Sequence, residues 1–575
     1  MMQKKSGLAL GLAFSMLVLG AVVGCSNNND NGSSASLSAK RVLLISIDGF
    51  HQADLNYWIG ANPMSTLAQL VGTGVVYANA HTTTPSDSFP GMLSMVTGGT
   101  PKTTGVYYDD SYDRTLYAPG SKCAGTSTGI EAVYDESIDF DDSKLFSGTG
   151  NGAGVINPAN LPLQKDSAGN CTPVYPHSFV KVNTLFEVVK AAGGLTAWSD
   201  KHPAYDLLNG PSGSGIADLY TPEINSLITN GGIVNGVNLS ATLAQCDGTN
   251  SLPVKKVSDY TTCVPAVEAY DDVKVQAIIN QIDGKKSDGS GTPGVPQVFG
   301  MNFQTVSVGE KLPVGGYIDA KATPNSVLNG AIAHTDASIG KMVAELKAKG
   351  LLDSTLIIVS AKHGQSPIDK TTLAMESGGS GNATVQDPSG FIAMADATVD
   401  SPSSFTNPNS GSVYSTNGHF QTDDTGLLWL ETQSNAANVV AQLQSNASKI
   451  FADKLPTGTI FANSINSGSA LAAIYGDPTS SDPVAAARAP NVVIQPNAGV
   501  IYSGSSKKIA EHGGGTVDDT NVLLLVSMTG LKSTNVAAQV STTQVAPTIL
   551  KALGLDPTQL QAVQKEGTAV LPSLF

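Results

Sequence analysis

The ten residues from Arg41 to Phe50, RVLLISIDGF, constrain this chain more than any other stretch. Val42 to Ile47 is a short, almost wholly apolar run with β-branched residues. A run without polar alternation predicts a strand covered on both faces, hence a sheet flanked by helices. Asp48 ends the run and Gly49 follows. A carboxylate at the C-terminal end of such a strand sits where open α/β sheets place their ligands, and Gly49 removes the side chain that would obstruct close approach. Taken alone, Asp48 fits a plain turn cap equally well. The rest of the chain decides between the two.

The pattern recurs. Leu195 to Trp198, Val295 to Asn302, Ser354 to Ser360 and Val522 to Ser527 are further strand-forming runs, and Gly426 to Leu430, Asn491 to Gln495 and Val500 to Ser503 read the same way. Helical segments separate them at Thr184 to Ala192, Asp271 to Ile282, Asn325 to Lys349 and Thr543 to Leu553. Such alternation predicts an α/β fold built on one large mixed, mostly parallel sheet with helices on both faces. Polar residues follow the strands: Asp200-Lys201-His202 after Trp198, a turn at Val308-Gly309-Glu310 after Asn302, and Lys362-His363-Gly364 after Ser360. Ser88 stands directly before Phe89-Pro90, and Pro90 suits the first turn of a helix through Met92 to Val96. A hydroxyl at a helix N-terminus lies in a field that favours its alkoxide and helps bind an anionic phosphate. The plainer alternative is that Ser86, Asp87 or Ser88 is an N-cap.

With 575 residues, 41% hydrophobic and 14% charged, the chain can bury a large core. A formal charge of −15 argues against nucleic acid as a partner. The N-terminus carries Lys4 and Lys5, then an apolar segment from Leu8 to Val23, which predicts a signal peptide rather than a spanning helix. Val22-Val23-Gly24-Cys25 resembles a bacterial lipobox. Residues 1–24 are therefore expected to be removed and Cys25 to carry a lipid that anchors the exported protein to a bacterial membrane, in the periplasm or at the cell surface. Residues 25–39 read as a flexible polar tether. Four cysteines remain, and an even number in an exported protein suggests two disulfides, most simply Cys123 with Cys171 and Cys246 with Cys263. Residues 40–575 form the expected catalytic domain, with loop-rich insertions near 107–180, 205–270 and 371–420 lying over the site.

Individually these signals are weak, but their order is specific. LLISIDGF (Leu43 to Phe50), SFPGMLSMVTG (Ser88 to Gly98), HTDASIGKMVAELKAKGLLDSTLIIVSAKHG (His334 to Gly364), EHGGG (Glu511 to Gly515) and VAPTILKALG (Val545 to Gly554) together resemble the alkaline phosphatase superfamily, on its nucleotide pyrophosphatase/type I phosphodiesterase side. The resemblance implies an alkaline phosphatase-like fold, divalent metal, usually zinc, and a Thr or Ser nucleophile that displaces an alcohol from phosphate and is then freed by water. By position Ser88 is the nucleophile and Asp48, His363 and His512 are metal ligands. A metal lowers the pKa of a bound hydroxyl and neutralises phosphoryl charge, and imidazole nitrogen with carboxylate oxygen suits zinc.

The departures from the family pattern shape the expectation. Lys362 stands where the second metal-binding aspartate directly precedes His-Gly. The Asp-x-x-Gly-His element falls on Val306 to Glu310 and matches only at Gly309, so that Glu310 replaces the His as a possible ligand. Asp109 occupies the place of an Asn that helps hold the phosphoryl group. These changes imply one ion rather than two, with Lys362, assisted by Lys201 and His202, replacing the other electrostatically. An ammonium neutralises an oxygen but has no lone pair for a metal. The sulfatase branch, with its Gly-Lys-Trp-His element, offers a parallel for Asp200-Lys201-His202, but the formylglycine signal needs Arg where Met92 stands. The expected function is an exported, lipid-anchored hydrolase of small phosphate esters, diesters or nucleotide-like compounds, acting through a Ser88 phospho-enzyme. The alternatives are phosphonate or sulfate ester hydrolysis, and a non-catalytic binding lipoprotein on the same scaffold.

Overall fold

A computed structural model describes residues 37–133, 156–224, 233–239, 245–249, 251, 260–376, 403–408, 411, 413–445, 465–496, 498–502 and 508–575. The signal peptide, Cys25 and most of the tether lie outside these residues. The strands β1 (Arg41–Ile47), β2 (Gly74–Tyr77), β3 (Ala197–Ser199), β4 (Asp218–Tyr220), β5 (Val298–Phe303), β6 (Thr355–Ser360), β7 (Leu524–Ser527) and β8 (Thr534–Val536) form one sheet. Their order is β8-β2-β7-β6-β1-β5-β3-β4. Only β7 runs against its neighbours β6 and β2; the other pairs are parallel.

The helices that cover this sheet and build the site are α1 (Gln52–Ala61), α2 (Ser88–Thr97), α3 (Leu185–Ala191), α4 (Val264–Ile282), α5 (Thr305–Lys311), α6 (Ser326–Ala348) and α7 (Val545–Ala552). Successive side chains of a strand point to opposite faces, and β1 feeds both. Val42 and Leu44 pack with Met92 and Val96 of α2, Val188 of α3 and Ile549 of α7. Leu43, Ile45 and Ile47 pack with Leu55 of α1, Ile278 of α4 and Ile339 of α6. Val42 to Ile47 is wholly buried, so truncating Leu44 or Ile45 to Ala should cost about 2–5 kcal/mol. No helix among the described residues is long and apolar enough to cross a membrane.

Two features differ from the sequence expectation. The turn expected at Val308-Gly309-Glu310 is helix α5. The Asp271 carboxylate, on α4, accepts from the Gln304 and Thr305 N–H groups at 2.9 Å each and satisfies donors that the start of α5 leaves free. The strands Gly426–Trp429 and Val492–Ile494 do not join the large sheet. With His419–Thr422 and Ile465–Ser467 they form a separate four-stranded antiparallel sheet, whose apolar face buries its own cluster around Leu428, Val439, Leu443 and Val492. The disulfides pair Cys123 with Cys171 and Cys246 with Cys263.

Candidate active site

Because β1, β3, β5 and β6 are parallel, their C-terminal ends open onto one edge of the sheet and the residues after them meet there. The Asp48 N–H donates to the Phe303 carbonyl at 3.0 Å and the Gly49 N–H to that of His363 at 3.2 Å, which joins the exits of the three central strands. Asp48 Oδ2 lies 3.1 Å from Lys362 Nζ, 3.8 Å from Lys201 Nζ and 3.9 Å from His363 Nε2. It also accepts a hydrogen bond from Gln304 Nε2. Ser88 is the first residue of α2. Its Oγ stands 3.5 Å from His363 Nε2. Tyr205 packs edge-on against Phe89, the residue after Ser88, with ring centroids 5.4 Å apart, and its hydroxyl accepts from Lys362 Nζ.

Local sequence explains this convergence. Gly91, in the first turn of α2, lets the helix approach the backbone of Lys362, where a Cβ would collide with the Lys362 carbonyl oxygen. Thr82 Oγ1 donates to the same oxygen at 2.6 Å. The Gly513 N–H donates to the Ser86 carbonyl at 2.8 Å and the Ser86 N–H to that of Gly514 at 3.0 Å. These bonds bring His512 beside the entry to α2. The rings of His363 and His512 lie 4.2 Å apart, and His512 Nδ1 is 3.1 Å from Asp87 Oδ1.

Burial alone would raise the Asp48 pKa, but Lys362, His363 and Lys201, with the Gln304 hydrogen bond, hold it well below the usual carboxylate range. Burial lowers Lys362 to about 8, with Asp48 resisting and Lys201 assisting. Burial first, and then neighbouring positive charge, push both His363 and His512 well below their ordinary values, so both rings are neutral. His363 Nδ1 lies 3.0 Å from the Gly364 carbonyl. A carbonyl only accepts, so the proton sits on Nδ1 and the Nε2 lone pair faces Ser88 and Asp48. Burial raises Asp87 to about 6 against the N–H groups of Ser88 and Asp109. It raises Asp109 well above the usual range, with Asp87 and Asp110 adding to the effect.

The donor chemistry suits a divalent ion, although the donor atoms of Asp48, His363 and His512 are not drawn within 4.8 Å of one another, as those of two other groups of described residues are. Among the described residues Asp48 Oδ1, Asp87 Oδ1 and His512 Nδ1 are buried without a well-directed hydrogen bond, a state that costs about 1–3 kcal/mol per group unless a ligand relieves it. Asp48, His363 and His512 offer carboxylate oxygen and neutral imidazole nitrogen. Lys362 occupies the side of the other Asp48 oxygen with a charge that coordinates nothing.

Not every expected residue reaches this cluster. Glu310 lies on α5 with its carboxyl toward a different group: Oε1 accepts from the Tyr317 hydroxyl at 2.7 Å, Oε2 accepts from Gln365 Nε2, and His51 Nδ1 is 3.8 Å away. Gly49, at φ +81°, admits this carboxyl behind the strand end, since a Cβ there would meet Glu310 Oε2. Because the segment is helical rather than a turn, Glu310 serves that group and not Asp48. His202 also turns away, its Nδ1 2.8 Å from Glu223 Oε1, whereas Lys201 faces Asp48. Asp109 reaches the site through its backbone, donating to Asp87 Oδ2 at 2.8 Å. Sequence reasoning missed Tyr205, Gln304 and Asp87 as functional side chains. Gln304 follows a buried parallel strand just as Asp48 does, and the same rule would have found it.

The fold and the site define a hydrolase of phosphoric esters, of the phosphatase and phosphodiesterase class. The family model of type I phosphodiesterases and nucleotide pyrophosphatases matches residues 42–149 and 314–516, more than half of the chain, which therefore belongs to that family within the alkaline phosphatase superfamily. Among solved structures, wild-type alkaline phosphatase PafA is 14% identical, over 91% of this chain and 97% of that chain, with a TM-score of 0.55. Murine ectonucleotide pyrophosphatase/phosphodiesterase 5 is 12% identical, over 90% of this chain and 96% of that chain, with a TM-score of 0.47. No match emerged among curated protein sequences.

Proposed function

We propose that the protein hydrolyses phosphodiesters or nucleotide-like esters through a covalent intermediate in which Ser88 Oγ is esterified to the substrate's phosphorus. The observation that carries this reading is the convergence of Ser88, His363, Asp48 and Lys362 at one parallel strand edge. Ser88 Oγ attacks phosphorus and one alcohol leaves; the second ester group stays on the phosphorus, and water then cleaves the serine ester to release a phosphate monoester. Lys362, whose Nζ donates to the Tyr205 hydroxyl, supplies positive charge that stabilises the serine alkoxide as it forms, and the N-terminus of α2 adds its dipole. A single divalent ion, zinc by its ligands, would be held by Asp48, His363 and His512 and would supply Lewis-acid polarisation of a phosphoryl oxygen. Lys362 and Lys201 supply fixed positive charge where the family holds a second ion. Asp109, kept protonated by burial, can donate a hydrogen bond to a phosphoryl oxygen as the family's Asn amide does.

Parallel assays with bis-nitrophenyl phosphate, nitrophenyl phosphate, a phosphonate ester and a sulfate ester test the substrate class. The diester should turn over fastest, and faster hydrolysis of the sulfate or phosphonate would transfer the assignment to those esters. Ser88→Ala should lower diester turnover by at least ~10³-fold, and acid quenching of the wild type should trap the substrate's phosphorus on Ser88. Undiminished turnover in that variant would rule out the Ser88 ester mechanism. Export and anchoring through Cys25 belong to the same proposal; a labelled fatty acid should enter the wild-type chain and not Cys25→Ala.

A further inference from the structure

We propose that Asp110, Glu131 and His419 form a second divalent-cation site, of the zinc class, separate from the Asp48 pocket. The strands Asp110–Asp113 and Ile130–Val133 make an antiparallel hairpin in which Asp110 pairs with Val133 and Tyr112 with Glu131. Asp110 and Glu131 are therefore diagonal neighbours on one face, an arrangement that like charges disfavour. His419, the first residue of the strand His419–Thr422, comes from the separate antiparallel sheet and lies against both. Its Nε2 is 3.1 Å from Asp110 Oδ1 and its Nδ1 is 3.8 Å from Glu131 Oε2. One donor atom from each residue lies within 4.8 Å of the other two.

Hydrogen bonding does not account for this grouping. His419 is 4% exposed, yet neither of its ring nitrogens makes a directed hydrogen bond within the described residues, and neither does Asp110 Oδ1. Buried donor atoms gathered within 4.8 Å of one another but misdirected for N–H···O bonding leave lone pairs for a cation to take up. Zinc bonds of roughly 2.0–2.2 Å place tetrahedral donors about 3.3 Å apart, close to the 3.1 Å between His419 Nε2 and Asp110 Oδ1. An imidazole with two carboxylates favours zinc over calcium or magnesium, which prefer oxygen-only shells. The ligands are already braced: Glu131 Oε2 accepts from the Ser415 N–H at 2.5 Å, and His419 packs on Trp429 with ring centroids 5.6 Å apart. An ion here clamps the hairpin to the small sheet. Because Asp109 directly precedes Asp110 and donates to Asp87, the clamp also holds one wall of the Asp48 pocket in place.

The test is zinc titration by calorimetry on the full chain carrying Asp48→Asn and His363→Ala, which removes donors from the first pocket. One zinc per chain should still bind. Adding His419→Ala, or the isosteric Glu131→Gln, should weaken that zinc by more than the roughly 10- to 100-fold that outer partners of a metal site contribute. A pocket variant that melts cooperatively and binds no zinc overturns the proposal, as does a folded Glu131→Gln or His419→Ala version that binds zinc unchanged. Should His419→Ala fail to fold, Glu131→Gln decides alone. Catalysis is not read at any point, so the outcome is independent of the role given to Ser88.

Discussion

Two groups of ionisable side chains flank the end of β1, and they are wired in opposite ways. In the first, Asp48 faces Lys362 and Lys201 with two neutral imidazoles nearby, and it keeps Oδ1 unpaired. In the second, a few residues further along the chain, His51 Nδ1 lies 2.8 Å from Asp54 Oδ2, and the Tyr317 hydroxyl lies 3.1 Å from Asp54 Oδ2 and 2.7 Å from Glu310 Oε1. His51, Asp54 and Glu310 also offer three donor atoms within 4.8 Å, but His51 Nδ1 pairs with Asp54 Oδ2 and both Glu310 oxygens accept from Tyr317 and Gln365, which leaves Asp54 Oδ1 alone without a hydrogen bond. The ingredients are nearly the same. Each group keeps one buried carboxylate oxygen unpaired, Asp48 Oδ1 and Asp54 Oδ1, so what separates them is charge: the first gathers two ammonium groups around one carboxylate, as an anion site needs, whereas the second balances His51 against its own acids, as a structural node does.

The largest effect that tests this contrast comes from Lys362→Met. It removes the closest cation from a buried carboxylate, which typically costs about 3–5 kcal/mol, and it takes away the charge proposed to act on the phosphoryl group. Diester kcat/KM should fall by ~10³-fold or more and the melting temperature should drop; a folded Lys362→Met protein with near-normal turnover would dissolve the distinction between the two groups. The second group should respond in stability rather than turnover. Burial opposes protonation of His51, but Asp54, by charge and hydrogen bond, and Glu310 raise it to about 10. With a folded pKa above the ordinary 6.5, the bound proton contributes stability that is complete below about pH 6.5 and is lost as pH rises through about 10. Each tenfold change in proton affinity is worth about 1.4 kcal/mol, so the loss amounts to several kcal/mol. Melting curves from pH 6 to 10.5 should show that alkaline fall, and His51→Gln should flatten it. Equal slopes in the two proteins would mean that His51 is not the charged member of the node.

Much of this was readable before any coordinates. The run Val42 to Ile47 predicts a strand buried on both faces, and parallel strands bring Asp48, Lys201 and His363 to one edge because chain direction alone decides where strand ends gather. Ser88 before Phe89-Pro90 marks its helix through local chemistry, and local chemistry is what a sequence displays best. Glu310 was not readable. Its direction depends on α5 being helical, and α5 is started by Asp271, a residue of another helix. Tyr205 was hidden for a similar reason: it lies in an insertion whose path follows no periodic signal, and only the folded chain shows it packed on Phe89 and bonded to Lys362. His202 stands next to Lys201 in sequence, yet successive side chains leave a backbone in different directions, and Glu223 captures its ring.

The smallest predicted effect separates the two groups most sharply. Burial first, reinforced by Asp54, raises the Glu310 carboxyl well above the usual range and so favours its protonated form. A protonated carboxyl and a carboxamide have nearly the same shape: each keeps an acceptor for the Gln365 amide and can donate to the Tyr317 oxygen, whose own proton then goes to Asp54 Oδ2. Glu310→Gln should therefore change stability by less than ~1 kcal/mol and leave kcat/KM within about threefold, with zinc affinity at the Asp48 pocket unchanged. A metal ligand behaves otherwise, because an amide oxygen carries no full charge and its loss would show first when zinc is limiting. Titrating activity against zinc in wild type and Glu310→Gln distinguishes the cases: superimposable curves keep Glu310 in the closed node, whereas a shift of tenfold or more toward higher zinc returns it to the site where the family pattern alone would have placed it.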